Sequence, residues 1–151
     1  MERRQFLQTT VASAIVAAAG PFRAGDANAV WQEDAFDARS VADALKGAFG
    51  TDKHVPSDAI TIKAPNLAEN GAMVPIEVVT TLADLESISL LVEGNQNPLT
   101  ATFRLSSDAN RVLATRVKLG RSSAVLVIAR SGGTLYSARK EIKVTIGGCG
   151  G

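Results

Sequence analysis

One side chain in this sequence is a strong nucleophile on a mobile support. Cys149 is the only cysteine, and it stands between two glycine pairs in Gly147-Gly148-Cys149-Gly150-Gly151. Glycine adds no side-chain bulk and leaves the backbone nearly free. Such a stretch offers its cysteine nothing to pack against. From Ile146 to Cys149 the chain spans three residues, an extended reach of about 10 Å. That length would carry one sulfur atom into another protein's pocket. A free thiol titrates near about 8.5, so a minority is thiolate at neutral pH. The tail contains no base to raise that fraction. A nucleophile without catalytic apparatus is a covalent carrier, and partner enzymes must supply the chemistry. Two other readings stand beside this one. The cysteine could be incidental at a frayed terminus, or it could only tether the protein to a partner by a disulfide.

Other chemistries have little to build on. The one histidine, His54, follows Lys53 in an expected surface loop and reads as structural or solvated. A cysteine–histidine pair needs the base beside the thiol, so His54 would serve only if the tail folded back to it. One cysteine and one histidine give no metal-ligand spacing, and no metal or other cofactor is expected. No glycine-rich loop joins a strand to a helix, so nucleotide binding has no support. Asn70-Gly71 and Gly132-Gly133 are turn signals.

The first residues read as an address. Arg3-Arg4-Gln5-Phe6-Leu7 is a twin-arginine motif, followed by the apolar run from Val11 to Ala19. That run is too short for a stable membrane anchor. Ala27-Asn28-Ala29 is a small-x-small cleavage site, which places the mature start at Val30. The expected location is the periplasm. A single cysteine in an exported chain means an intermolecular bond or a reactive free thiol. Removing residues 1–29 takes away Arg3, Arg4, Arg23, Glu2 and Asp26 and leaves 13 basic and 13 acidic residues. That balance gives no support to nucleic acid or an anionic membrane as a partner.

The elements that must position the thiol follow. The chain has 151 residues, 46% of them hydrophobic, which suits one domain with a real core. Phe36, Val41, Leu45 and Phe49 recur at roughly helical spacing, which predicts one amphipathic helix over 33–49, capped by Asp34 or Asp37 and stopped at Gly50. Beyond Pro56 the period becomes two. Strands are expected at 60–63, 74–79, 88–92, 101–105, 112–119, 123–129 and 135–146, with a loop from Pro65 to Gly71. Seven short strands at near-even spacing predict a mainly β fold. An immunoglobulin-like antiparallel β-sandwich with one N-terminal helix fits best, with a small barrel as the alternative. The last strand, in which Ile142, Val144 and Ile146 alternate with Glu141, Lys143 and Thr145, runs straight into the tail. The organisation is thus a signal (1–29), a carrier domain (30–146) and a swinging arm (147–151). Leu126 and Ile128 beside Val125 and Val127 make one strand apolar on both faces. A partner subunit covering one sheet face would explain this, and so would a central strand buried on both sides.

At the level of motifs the chain resembles the SoxY family, the Y subunits of the bacterial thiosulfate-oxidation (Sox) carrier. The resemblance rests on Lys143-Val144-Thr145-Ile146-Gly147-Gly148-Cys149-Gly150-Gly151, on Pro65 to Gly71 followed by Val74-Pro75-Ile76, and on the Arg3-Arg4 signal. It implies an immunoglobulin-like fold and a heterodimer with a SoxZ-like subunit. It implies that Cys149 is the point of substrate attachment and that Gly147, Gly148, Gly150 and Gly151 let the adduct thread into narrow active sites. The implied partners are a c-type cytochrome enzyme that couples thiosulfate to the cysteine, a thiohydrolase that releases sulfate, and a sulfane dehydrogenase where one exists. The carrier itself would not be an enzyme. A ubiquitin-like sulfur donor also ends in Gly-Gly, but it uses its carboxylate in an ATP-containing compartment, and export argues against it.

Overall fold

The computed structural model describes residues 32–106 and 108–145. These form two sheets and a helical pair. The helical pattern over 33–49 is realised as two helices, α1 (Glu33–Asp37) and α2 (Val41–Phe49). The chain breaks between them because Ala38 and Ser40 are extended, and Ser40 starts α2. The Ser40 hydroxyl accepts from the Asp43 N–H at 3.1 Å, so the cap is Ser40 and not Asp34 or Asp37. The break lets the two helices fold onto each other. A side-chain carbon at Gly47 would lie 2.9 Å from the Ala35 backbone, so only glycine permits this approach. Gly50 ends α2 in the left-handed conformation, as the sequence predicts.

Nine strands follow: β1 (Val55–Pro56), β2 (Ile60–Lys63), β3 (Leu67–Ala68), β4 (Val74–Thr80), β5 (Leu85–Val92), β6 (Leu99–Arg104), β7 (Val112–Val117), β8 (Ser123–Ser131) and β9 (Thr134–Val144). The larger sheet runs β1-β9-β8-β5-β6, and β3 also pairs with β9. The smaller sheet runs β2-β4-β7. Two separate sheets face to face make a sandwich, not a barrel. Their shared core holds Val74, Ile76 and Val78 of β4 against Ile88, Leu90 and Val92 of β5 and Val125 and Val127 of β8. Two short strands, β1 and β3, escaped the sequence pattern. Each is two residues long, too short for any alternation to register. The turn read at Asn70-Gly71 is a 3-10 segment (Gly71–Met73), whose Ala72 N–H is capped by the Asn70 side chain at 2.8 Å.

The other face of the larger sheet is also covered. Leu126 and Ile128 of β8 pack with Leu91, Leu99, Ala35, Ala44 and Leu45. Ala44 and Leu45 of α2 and Ala35 of α1 are buried. The two-sided apolar character of β8 is therefore explained within the chain. It gives no support to a partner on that face. Burying each such leucine or isoleucine stabilises the fold by about 1.5–3 kcal/mol. The domain is thus three layers: helices, larger sheet, smaller sheet.

Candidate functional site

The residues that sequence reasoning assigns to carrier chemistry, Cys149 with Gly147, Gly148, Gly150 and Gly151, lie outside the described residues, as do Arg3 and Arg4. The structure describes the root from which the arm leaves. β9 is the longest strand, 11 residues, and it ends at Val144. Its inner ladder is β8, with Ser123 opposite Ile142. On its outer edge β3 runs parallel, pairing Leu67 with Lys143 and Ala68 with Val144. The Lys143 N–H donates to the Asn66 carbonyl at 2.9 Å, and the Thr145 N–H donates to that of Ala68 at 3.1 Å. The Thr145 hydroxyl donates to the Glu69 carbonyl at 3.0 Å. From the opposite side the Ser122 hydroxyl accepts from the Val144 N–H at 2.8 Å and contacts the Val144 carbonyl at 3.3 Å.

The last described residues of the chain are therefore held on both edges. Little apolar burial is involved, since Lys143, Thr145, Ser122 and Glu69 are all exposed. What these bonds fix is direction. Any segment after Thr145 starts from one place and one heading. The Pro65–Gly71 stretch, expected as a loop, proves to be half of this clamp. Ser122 was missed, and one signal pointed to it. It lies in the polar run after Gly120 that separates β7 from β8.

His54 is elsewhere. Its Nδ1 lies 2.8 Å from the Ser137 hydroxyl, which is itself buried. Ser137 precedes Val144 by seven strand positions, roughly 23 Å at the usual rise. From Val144 to Cys149 the chain spans five residues, an extended reach of about 17 Å. Even run back fully extended along β9, the arm would stop short of Ser137. The structural reading of His54 holds, and the base does not stand at the arm's root. One carboxylate is perturbed near this end of the sandwich. Arg139 of β9 makes two 2.9 Å bonds to Glu93, which hold the Glu93 carboxyl below its ordinary range despite some burial.

The sulfur oxidation protein SoxY family matches residues 45–149, from α2 to the cysteine itself. The chain belongs to the SoxY family. The sulfur carrier protein SoxY from Chlorobium limicola f thiosulfatophilum is similar at 36% identity and a TM-score of 0.61, covering 69% of this chain and 94% of its own. A superoxide reductase (neelaredoxin) from Ignicoccus hospitalis shares the fold at 19% identity and a TM-score of 0.50, over 70% of this chain and 90% of its own. No curated protein matches the sequence. Membership gives the domain an immunoglobulin-like architecture and a place in sulfur oxidation.

Proposed function

We propose that this protein is a periplasmic sulfur carrier that holds thiosulfate-derived intermediates covalently on Cys149 while partner enzymes act on them. The observation that carries this reading is the clamped root of β9. A lone thiol set among glycines follows a strand end held on both edges by backbone and serine hydrogen bonds. A rigid base with a free tip is what one thiol needs in order to visit several active sites.

The chemistry balances without any catalytic group on the carrier. The Cys149 thiolate joins the outer sulfur of thiosulfate, giving Cys–S–S–SO3⁻ and two electrons, which a c-type cytochrome partner accepts. Water then cleaves the terminal S–S bond in a hydrolase partner. The products are sulfate, two protons and the persulfide Cys–S–S⁻. A sulfane dehydrogenase, where present, oxidises that remaining sulfur. Arg3 and Arg4 direct export, and a SoxZ-like subunit completes a heterodimer. With the outer face of the larger sheet already covered by α1 and α2, that subunit is expected to meet a different surface.

Mass spectrometry of the native protein tests the reading. Adducts of sulfur and of thiosulfate mass on Cys149 are expected, and both should disappear on mild reduction. A fixed disulfide to another protein, with no such adduct, would favour the tether instead. Export is checked separately. Replacing Arg3 and Arg4 by lysine should leave the precursor in the cytoplasm, and normal export would remove the twin-arginine claim.

A further inference from the structure

Beside the arm's root lies an open pocket of about 560 Å³, lined by Gly94, Asn95, Asn97, Lys118, Gly120 and Arg121 among others. Its lining contains two cations and no carboxylate. Among the described residues neither Lys118 nor Arg121 has a carboxylate within ion-pair distance; Lys46, Lys63, Arg130 and Arg139 are the cations that do. Glu93, which adjoins the lining residue Gly94, is taken up by Arg139.

The loop that carries the two cations is fixed. Leu119 between them is fully buried, and its N–H donates to the Gly71 carbonyl at 2.8 Å. Asn95 clasps the loop from the facing turn. Its amide donates to the Lys118 carbonyl at 2.7 Å, and its side-chain oxygen accepts from the Gly120 N–H at 2.9 Å. Gly94 makes the floor. A side-chain carbon there would lie 2.6 Å from Ser123 Cβ, 2.8 Å from Ser123 Oγ and 3.2 Å from Arg121 Cγ, so glycine alone lets the Arg121 stem lie across the turn. The Ser123 hydroxyl under that floor is shielded from solvent and has no hydrogen-bond partner. Two exposed cations line this pocket from one loop whose backbone is held, and an anion bound between them would supply the counter-charge that the lining lacks. An arginine fork with a nearby ammonium suits a tetrahedral oxyanion.

The same loop touches the end of β9. Ser122, next to Arg121, holds Val144. Cys149 follows Thr145 by four residue steps, an extended reach of about 14 Å. We infer that the Lys118–Arg121 pocket is a binding site for a sulfo group, R–SO3⁻, beside the base of the carrier arm. The inference rests on the carrier reading for its choice of anion. The group has two sources with one chemistry: free thiosulfate, and the outer end of a thiosulfonate already carried on Cys149. Either occupant would be held by the same cations, and both would weaken with salt because the pocket is open.

The test separates the sources. The exported protein carrying Cys149→Ser is titrated with thiosulfate, then with sulfate, at low salt, and backbone amide shifts are followed by NMR. Saturable shifts at Gly94, Asn95, Gly120 and Arg121 are expected. Lys118→Gln with Arg121→Gln should weaken them at least tenfold while the remaining spectrum shows an intact fold. In parallel, wild-type protein loaded with thiosulfate on Cys149 is compared with protein capped by a methylthio group. The same amides should shift in the loaded form only. Localised shifts in either arm, lost in the double variant, support the site. Shifts scattered over the surface, shifts unchanged in the double variant, or none in either arm would overturn it. Adduct formation with a silent pocket removes this inference and leaves the carrier reading standing. Thiosulfate bound by the serine protein, with no adduct on the wild type, does the reverse.

Discussion

The two ends of β9 are held in the same way for different ends. At its start β1 runs parallel to it, with Val55 opposite Tyr136 and Pro56 opposite Ser137. Near its finish β3 does the same at Lys143 and Val144. Each added strand is two residues long, and a serine bonds near each end of β9, Ser137 with His54 beside β1 and Ser122 with Val144 on the edge away from β3. The surroundings differ. At the start Leu135 and Ser137 are buried, so the pairing closes a core edge. At the finish Ala68 is buried, but Ser122, Glu69, Lys143 and Thr145 are exposed, so the hydrogen bonds these four make compete with water and contribute little stability. One end holds the domain together, and the other aims whatever follows it. Changes at the two ends should therefore separate folding from function.

The largest effect belongs to the tip. Cys149→Ser should reduce thiosulfate oxidation, reconstituted with partner enzymes, to background while the melting temperature stays where it is. Oxygen cannot form the S–S bond or be restored by thiol exchange. Full activity from that variant would end the carrier mechanism. Gly148→Val keeps the thiol and adds a β-branched side chain beside it. Loading should slow several-fold with each partner alike, because each must admit the same tail.

The converse change is in the helix-covered layer. Leu126→Ala removes buried volume where α1 and α2 meet the sheet, and should cost about 2–5 kcal/mol in chemical denaturation. Loading per folded molecule should not change. If loading falls in proportion to the lost stability, the separation drawn between base and tip is wrong.

The two serines give the closest matched pair. Ser137→Ala strands the His54 nitrogen in a part-buried site, which should cost roughly 1–3 kcal/mol and leave loading alone. Ser122→Ala frees an exposed N–H that water can satisfy, so its stability cost should stay below about 1 kcal/mol. Its loading rate with partner enzymes should drop by a factor of about 2–5, an expectation drawn from how strongly reactions depend on positioning. Equal behaviour of the two variants in both assays would erase the contrast.

Much of this was legible in the sequence. The alternation of Val74, Ile76 and Val78, and of Ile142 and Val144 against Glu141 and Lys143, marks half-buried strands, because a strand shows its faces in turn. The run from Ala124 to Ala129 could not be decided alone. Residues buried on both faces look the same whether helices or a partner cover them, and only tertiary packing assigns Leu126 and Ile128 to α1 and α2. The break at Ala38–Ser40 was hidden because the apolar spacing continues across it. The clamp was hidden for another reason. Leu67, Ala68 and Ser122 act through backbone bonds to a distant strand, and backbone pairing of two-residue segments leaves no periodic trace. Cys149 stood out from its residue type and its glycine neighbours alone, with no contact needed to find it.

The smallest expected effect lies between the two ends, at Arg139. Its guanidinium bonds Glu93 twice and also meets Glu141 at 3.1 Å. The Glu93 carboxyl titrates below its ordinary value of 4.5, chiefly because of the hydrogen bonds from Arg139. A carboxyl with a lowered folded-state value stabilises the fold fully above the unfolded value, and that contribution is lost as pH falls through the lower, folded one. Arg139→Leu should therefore flatten the acid side of the stability curve, measured by denaturant unfolding from about pH 3 to 6. The loss near neutral pH should stay below about 1 kcal/mol, because both partners are part-exposed and solvent screens them. The same variant bears on the anion pocket. It releases Glu93, which immediately precedes Gly94, from its partner. An unpaired carboxylate next to the lining residue Gly94 should weaken thiosulfate binding by the Cys149→Ser protein about 2–3-fold at low salt, and less as salt rises. Binding that strengthens instead would mean that Arg139 itself competes for the anion, and the pocket would then extend towards the middle of β9.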